Sequence, residues 1–229
     1  MNLEILEKKL EIQFKNSDLA KEALTHRSYL NENPRWNFSH NERLEFLGDA
    51  VLELIVTEYL FQNYPKKPEG ELTAFRAALV NYQMLAKIAN DIDLGKFVLL
   101  SRGEAKDIGR AREVILANTF ESVVGAIYLD QGIEASRNFI IKNVLKELPQ
   151  IIKEGLFKDA KSLFQEVAQE KLGITPTYNV LSETGPDHDK IFRVGVFLNN
   201  DLVAEGEGPS KQTAELEAAK NAIEIKEWE

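Results

Sequence analysis

Residues 40–52 read His40-Asn41-Glu42-Arg43-Leu44-Glu45-Phe46-Leu47-Gly48-Asp49-Ala50-Val51-Leu52. The stretch opens a helix running to about Phe61. At ~100° per residue, Glu42, Glu45 and Asp49 fall within roughly 60° of one another on one face. Leu44, Leu47, Val51, Leu54 and Ile55 take the opposite face at core-packing spacing. Stacked carboxylates repel by a few tenths of a kcal/mol per pair on an open helix, more where water is excluded. A divalent cation removes that repulsion, and hard oxygen ligands favour Mg²⁺ or Mn²⁺. A solvated charged stripe explains the spacing equally well, but Phe46 lies only ~40° from Glu42, where such a stripe carries no large aromatic. That placement points to a site beside an interface.

The rest of the chain bounds what such a site can be. The 229 residues suit one large or two small domains, with 44% hydrophobic and 28% charged residues. No apolar run approaches the ~20 residues of a membrane helix. The amphipathic start, MNLEILEKKL, lacks a signal peptide's apolar core, so a cytoplasmic protein without membrane partners is expected. Zero cysteines exclude disulfides, thiolate catalysis and zinc–sulfur sites. His26, His40 and His188 are too scattered for a histidine metal site, and a net charge of −9 argues against indiscriminate coating of nucleic acid.

Residues 1–155 read as helix after helix. The pattern predicts a helix over 3–10, a second capped by Asn16 or Ser17 and ending near Ser28, and a loop around Pro34. After the acidic helix come one over 71–90, a polar loop over 101–110 with basic residues Arg102, Lys106, Arg110 and Arg112 in or beside it, and helices over 113–129 and 133–148. The helix over 113–129 carries Asn118 and Glu121 three apart, with Val114, Leu116, Phe120, Val123, Val124 and Ile127 turned inward. Pro149 marks a seam, and Gly155 to Ala160 a hinge. Residues 156–229 change period: a helix over 161–171 with Leu163, Phe164, Val167 and Leu172 inward, strands over 177–183, 190–198 and 202–207, and a helix capped by Ser210. The expected architecture is multidomain, an all-α domain followed by a small α+β (α-β-β-β-α) unit.

Asn41-Glu-Arg-Leu-Glu-Phe-Leu-Gly-Asp-Ala-Val-Leu resembles the signature of the ribonuclease III family. Thr25-His-Arg-Ser-Tyr, Arg76-Ala-Ala-Leu-Val and Ala117-Asn-Thr-Phe-Glu-Ser-Val-Val-Gly-Ala-Ile-Tyr-Leu-Asp resemble further family segments in the same order. The second unit resembles a double-stranded-RNA-binding domain through Leu163-Phe-Gln-Glu, Gly185-Pro-Asp-His and Gly206-Glu-Gly-Pro-Ser-Lys-Gln-Thr-Ala-Glu. The resemblance covers essentially the whole chain.

It implies a Mg²⁺-dependent homodimeric endonuclease that cuts duplex RNA to 5′-phosphate and 3′-hydroxyl ends with short 3′ overhangs, in ribosomal-precursor and messenger processing. By the same resemblance Glu45, Asn118 and Glu121 match metal ligands, Asp49 and Glu121 catalytic residues, Glu42 and Glu69 supporting acids, and Phe46 an aromatic that packs into the partner subunit. Lys161, Gln165, Glu166, His188, Lys190, Lys211 and Gln212 match RNA contacts. Two departures stand out. Asn118 replaces an aspartate common in the family, and Gln212 a lysine. From Lys158 onward eight Lys/Arg face fourteen Asp/Glu, a net of −6, so RNA binding with few phosphate contacts and a shallow salt dependence is expected. The alternative is a protein that kept the fold and binds duplex RNA without cutting it.

Overall fold

The computed structural model describes residues 3–155, 157, 160–186 and 190–228. The chain divides into two compact units, Met1–Phe157 and Lys158–Glu229.

In the first, α1 (Leu3–Leu10), α2 (Ser17–Ala23) and α3 (Arg27–Glu32) precede α4 (Glu42–Asn63). Next come α5 (Glu69–Val80), α6 (Tyr82–Asp91), α7 (Arg110–Gln131), α8 (Ile133–Asn143) and α9 (Leu148–Lys153), with short 3-10 turns at Leu94–Lys96, Glu104–Lys106 and Leu145–Glu147. Helices α4 and α7, 22 residues each, form the axis of the unit. Ile115, Leu116, Ala117 and every residue from Ser122 to Ile127 are buried, so α7 is covered almost all round, as a central helix must be. Against it lie Leu44, Val51, Leu52, Ile55, Val56 and Leu60 of α4, with Phe75, Leu79, Leu85, Ile88 and Phe139 completing one core.

Local chemistry explains where this unit departs from the periodicity. The expected 17–28 helix stops at Ala23. Thr25 pairs with Leu99 as an isolated parallel bridge, His26 N–H donating to Leu99 O (3.0 Å) and Leu99 N–H to Leu24 O (2.8 Å). His26 then caps α3 by accepting from Ser28 N. The expected 71–90 helix is two helices, because Asn81 is extended (ψ 157°). Its amide closes α5 on Ala77 O and Ala78 O, and its Oδ1 opens α6 at Met84 N. Arg110 and Arg112 belong to the first turn of α7 rather than to the loop. Arg112 donates to Gly95 O (3.0 Å) and Arg110 lies over the Tyr82 ring. Pro149 sits in the first turn of α9, where its missing N–H has no helical partner to lose, and marks no seam. Leu54, expected inward, is 59% exposed, and Val114 is exposed too.

The second unit runs α10 (Ala160–Leu172), β1 (Thr177–Thr184), β2 (Ile191–Leu198), β3 (Asp201–Gly208), α11 (Lys211–Lys226), with an antiparallel sheet in the order β1-β2-β3. The β2–β3 turn is held by Asn199 in the left-handed region (φ 56°). Both helices cover one sheet face. Phe164, Ala168, Val196, Leu198, Ala204, Ala218, Ala219, Ala222 and Trp228 form the core, and Leu172 is exposed instead of inward. Ser210 Oγ accepts from Thr213 N (3.2 Å) and caps α11 as expected. The all-α plus α-β-β-β-α architecture is therefore the one observed, and no helix among the described residues is long and apolar enough to cross a membrane.

Candidate functional site

Helices α4 and α7 meet at two glycines. A Cβ on Gly48 would stand 1.7 Å from the Glu121 carbonyl oxygen, and one on Gly125 would stand 2.3 Å from that of Leu44. Backbone therefore lies on backbone, with no side chain between. This contact brings Glu45 and Asp49, which flank Gly48 on α4, against Glu121 of α7. Ser122 secures the neighbouring turn by donating to Ala23 O (2.7 Å).

The electrostatics record the crowding. Burial, then the carboxylates of Asp49, Glu45 and Glu53, raise the Glu121 carboxyl from 4.5 to about 8. Glu45 is raised by burial and by Glu42, opposed by a hydrogen bond from Asn118, and raised further by Asp49. Thus Glu45, Asp49, Asn118 and Glu121 share one site. Glu42 sits at its edge, with Arg27 Nη1 at 3.3 Å and His40 Nδ1 at 3.7 Å from its carboxylate. Nearby His26 is lowered mainly by burial.

Among the described residues no three carboxylates or imidazoles already form a closed metal cage. Burial and the neighbouring carboxylates favour the protonated form of Glu121, and Asn118 supplies an amide rather than a charge. The donor set nevertheless fits a hard divalent cation. Its oxygens come from two rigid helices and its carboxylates hold one another's acidity down, which positive charge would relieve.

Glu69 is not brought to this cluster. It opens α5, accepts from Thr73 Oγ1 (2.8 Å), and lines a cavity of about 520 Å³ with Thr57, Phe61, Tyr64, Leu72 and Arg76. Thr57 lies eight residues, about 12 Å of helix, beyond Asp49. Phe46 is 81% exposed, and with Leu54 (59%) and Phe61 (73%) it forms an apolar stripe beside the acids of α4. Spacings of 8 and 15 residues put the three within ~80°.

Three further features shape the two units' sites. Glu53, four residues after Asp49, extends the acidic stripe, and its i, i+4 spacing is signal enough to find it. Gly48 and Gly125 carry no signal alone, because a helix-interior glycine shows its purpose only when its neighbour is known. Glu183 reads in sequence only as a strand residue.

In the second unit the matched lysines have acidic company. Lys161 Nζ lies 2.5 Å from Glu215 Oε2 and 4.8 Å from the Tyr178 ring centroid. Glu183 takes both Lys190 (3.3 Å) and Lys211 (3.7 Å). Gln165 and Glu166 are exposed on α10 beside a shallow depression, and Gln212 is exposed at the start of α11. His188 lies outside the described residues.

Known proteins resemble this chain along most of its length. A ribonuclease-III-like family model matches residues 16–148 and a double-stranded RNA binding motif model matches residues 160–226. Ribonuclease 3 of a Nitratiruptor species is 48% identical over 97% of this chain and 96% of its own length. Ribonuclease 3 of Carboxydothermus hydrogenoformans is 46% identical, over 98% and 95%. The crystal structure of the nuclease domain of ribonuclease III from Campylobacter jejuni is 44% identical, with a TM-score of 0.58, covering 66% of this chain and 98% of that one. A second structure of that domain, which addresses structural flexibility in the region involved in dimer formation, is 43% identical with the same TM-score, covering 65% and 99%. With its helical nuclease-type unit followed by a double-stranded RNA binding motif, the chain belongs to the ribonuclease III family.

Proposed function

We propose that the chain is a Mg²⁺-dependent homodimeric endoribonuclease. It cuts duplex RNA to 5′-phosphate and 3′-hydroxyl ends with short 3′ overhangs, in ribosomal-precursor and messenger processing in the cytoplasm. Residues 1–155 carry cleavage and residues 156–229 carry RNA binding. One observation carries the reading: Glu121 is pushed up to about 8 by burial against Asp49 and Glu45 across a glycine-on-glycine helix contact. Carboxyl groups crowded and buried in this way mark a candidate catalytic centre, and positive charge would relieve their mutual repulsion.

Glu45, Asn118 and Glu121 would hold the ion. When bound, Mg²⁺ (or Mn²⁺ in its place) lowers the pKa of an attacking water and neutralises charge on the phosphate and leaving oxygen. Glu121 would ligate the ion as a carboxylate, its proton passing to solvent water on binding. Asp49, exposed beside it, accepts a hydrogen bond from the attacking water at its carboxylate oxygens. Asn118 holds Glu45 in place through their hydrogen bond. Glu42, paired with Arg27 at the edge of the cluster, adds negative charge that raises the neighbouring Glu45. Glu69, which lines the cavity with Phe61 and Arg76, would be a supporting acid outside the Glu45–Asp49–Glu121 cluster. The stripe of Phe46, Leu54 and Phe61 supports a second copy of the chain as the partner, since apolar side chains so exposed along one helix need cover. Lys161, Gln165, Glu166, His188, Lys190, Lys211 and Gln212 meet the duplex.

The test is to incubate a long RNA duplex with the full chain and Mg²⁺ beside Glu121→Ala. Cleavage by the first and not the second is the expected result. Binding without cleavage by both would establish the non-cutting alternative.

A further inference from the structure

Five side chains in the second unit form one strip of alternating charge. Lys161 of α10 meets Glu215 of α11 (2.5 Å). Glu215 shares a helix face with Lys211, four residues earlier. Lys211 meets Glu183 of β1 (3.7 Å), and Glu183 also meets Lys190, just ahead of β2 (3.3 Å). Every lysine matched to RNA binding thus already lies against a carboxylate of its own domain.

We propose that Glu183 and Glu215 set the affinity and salt dependence of duplex-RNA binding by occupying the ammonium groups that phosphates would otherwise take. This rests on reading the second unit as the RNA-binding one. Surface ion pairs contribute little to folding, typically ~0–1 kcal/mol, and these side chains stay between 25% and 57% exposed, so stability is a weak reason for three such pairings in one strip. Their consequence for a polyanion is larger. At about 0.15 M salt the screening length is about 8 Å, so carboxylates 2.5–3.7 Å from the lysines act almost unscreened. A phosphate that takes Lys211 leaves Glu183 without that partner beside it, and one that takes Lys161 does the same to Glu215. Each lysine then neutralises less phosphate charge and releases fewer counterions than a lone lysine. The unit-wide charge of −6 dilutes attraction everywhere, whereas this pairing acts at the contacts themselves.

The experiment measures binding of the full chain to a duplex of about 20–30 base pairs, in EDTA and in a Glu121→Gln background so that no strand is cut. Dissociation constants across a series of salt concentrations give the log–log slope. Glu183→Gln, which removes the acid shared by two lysines, is expected to tighten binding roughly 3–10-fold at ~0.1 M salt and to steepen the slope by about one unit or more. Glu215→Gln is expected to steepen it by somewhat less than one unit, for Lys161 alone. Glu217→Gln is the control. It removes the same formal charge from α11 on a face ~240° round from Lys211 and is expected to change the slope little. Equal effects from all three variants would overturn the proposal in favour of net charge alone, and unchanged or weaker binding by Glu183→Gln would overturn it outright. Failure of the parent chain to retain duplex RNA even at low salt would instead bring down the RNA-binding reading beneath it. All four proteins should melt together, since the substitutions are isosteric and lie at the domain surface.

Discussion

Gly48→Ala should damage both the stability of the first unit and the geometry of its acidic cluster. The added methyl would lie 1.7 Å from the Glu121 carbonyl oxygen, 2.6 Å from its carbon and 2.9 Å from Gly125 N. Real Cβ contacts essentially never fall below 3.0 Å, and the obstacle here is backbone, which cannot swing aside. Helices α4 and α7 must therefore part by more than about 1 Å, and the strain belongs at or above the top of the ~1–3 kcal/mol typical of overpacking. For a domain of this size about 3 kcal/mol corresponds to roughly 6–12 °C in melting temperature. The chemistry should suffer as well, because Glu45 and Asp49 move with one helix and Glu121 with the other. A displacement near 1 Å at reacting groups costs ~10²-fold in rate. Thermal melts and duplex-RNA cleavage under single-turnover conditions read both effects. Gly70→Ala, with nothing within 4 Å of its added Cβ, controls for the loss of a helix glycine and should melt unchanged or slightly higher. A Gly48→Ala protein that melts within about 2 °C of the parent and cleaves at the parent rate would refute the argument that backbone contact at this glycine fixes the site.

Three further outcomes follow from the same geometry. The folded metal-free chain holds the Glu121 proton to about pH 8, whereas an ordinary carboxyl releases it near 4.5. The folded state therefore binds more protons between those values, and stability in EDTA should fall as pH rises from about 4.5 through 8, by on the order of a few kcal/mol. Melts against pH should show that decline and Glu121→Gln should flatten it; an unchanged slope in the variant would assign it to other groups. Asn118→Asp, which adds a formal charge to the donor set, should lower the Mg²⁺ concentration for half-maximal cleavage. A concentration that stays or rises would overturn this account of the site's charge. Phe46→Glu should yield monomers in analytical ultracentrifugation, with little double-strand cleavage; a variant that remains dimeric would count against Phe46 as part of the seam.

The helices and strands are legible because burial imposes periodicity, and α4, α7 and the α-β-β-β-α unit carry it plainly. Side-chain chemistry that overrides period is what hides the rest. Asn81 ends one helix and starts the next within a stretch whose apolar spacing continues through it. Leu99, 74 residues away, captures Thr25 and halts a helix whose own residues favour going on. Pro149 looks like a break yet suits the first turn of α9. In the site, Glu45, Asp49, Asn118 and Glu121 can be named from two helical stretches and their family likeness. Their mutual approach cannot, since it depends on Gly48 meeting Gly125 across 77 positions of chain. Glu69 shows the converse, an acid matched to the same function that the fold sets against the Phe61 cavity. The pairing of Lys161, Lys190 and Lys211 with acids is equally invisible, because each lysine lies outside the element of the acid it meets.

The junction around Thr25 has a consequence in time. Thr25 O accepts from Asn41 N–H (2.9 Å) at the entry to the acidic helix, and its Oγ1 accepts from Trp36 Nε1 (3.2 Å). Leu24 and His26 on either side bond to Leu99, and Ala23 O receives Ser122 from 99 positions away. The start of α4 is thus anchored by partners that loop closure unites slowly, while α4 and α7 as helices can form locally and early. A nascent chain released only as far as residue 98 can build the acidic helix and its bond to Thr25, but lacks the Leu99 and Ser122 partners that fix residues 23–26 behind it. Assembly of the acidic cluster should therefore be among the last events in folding, after most of the helical signal has appeared.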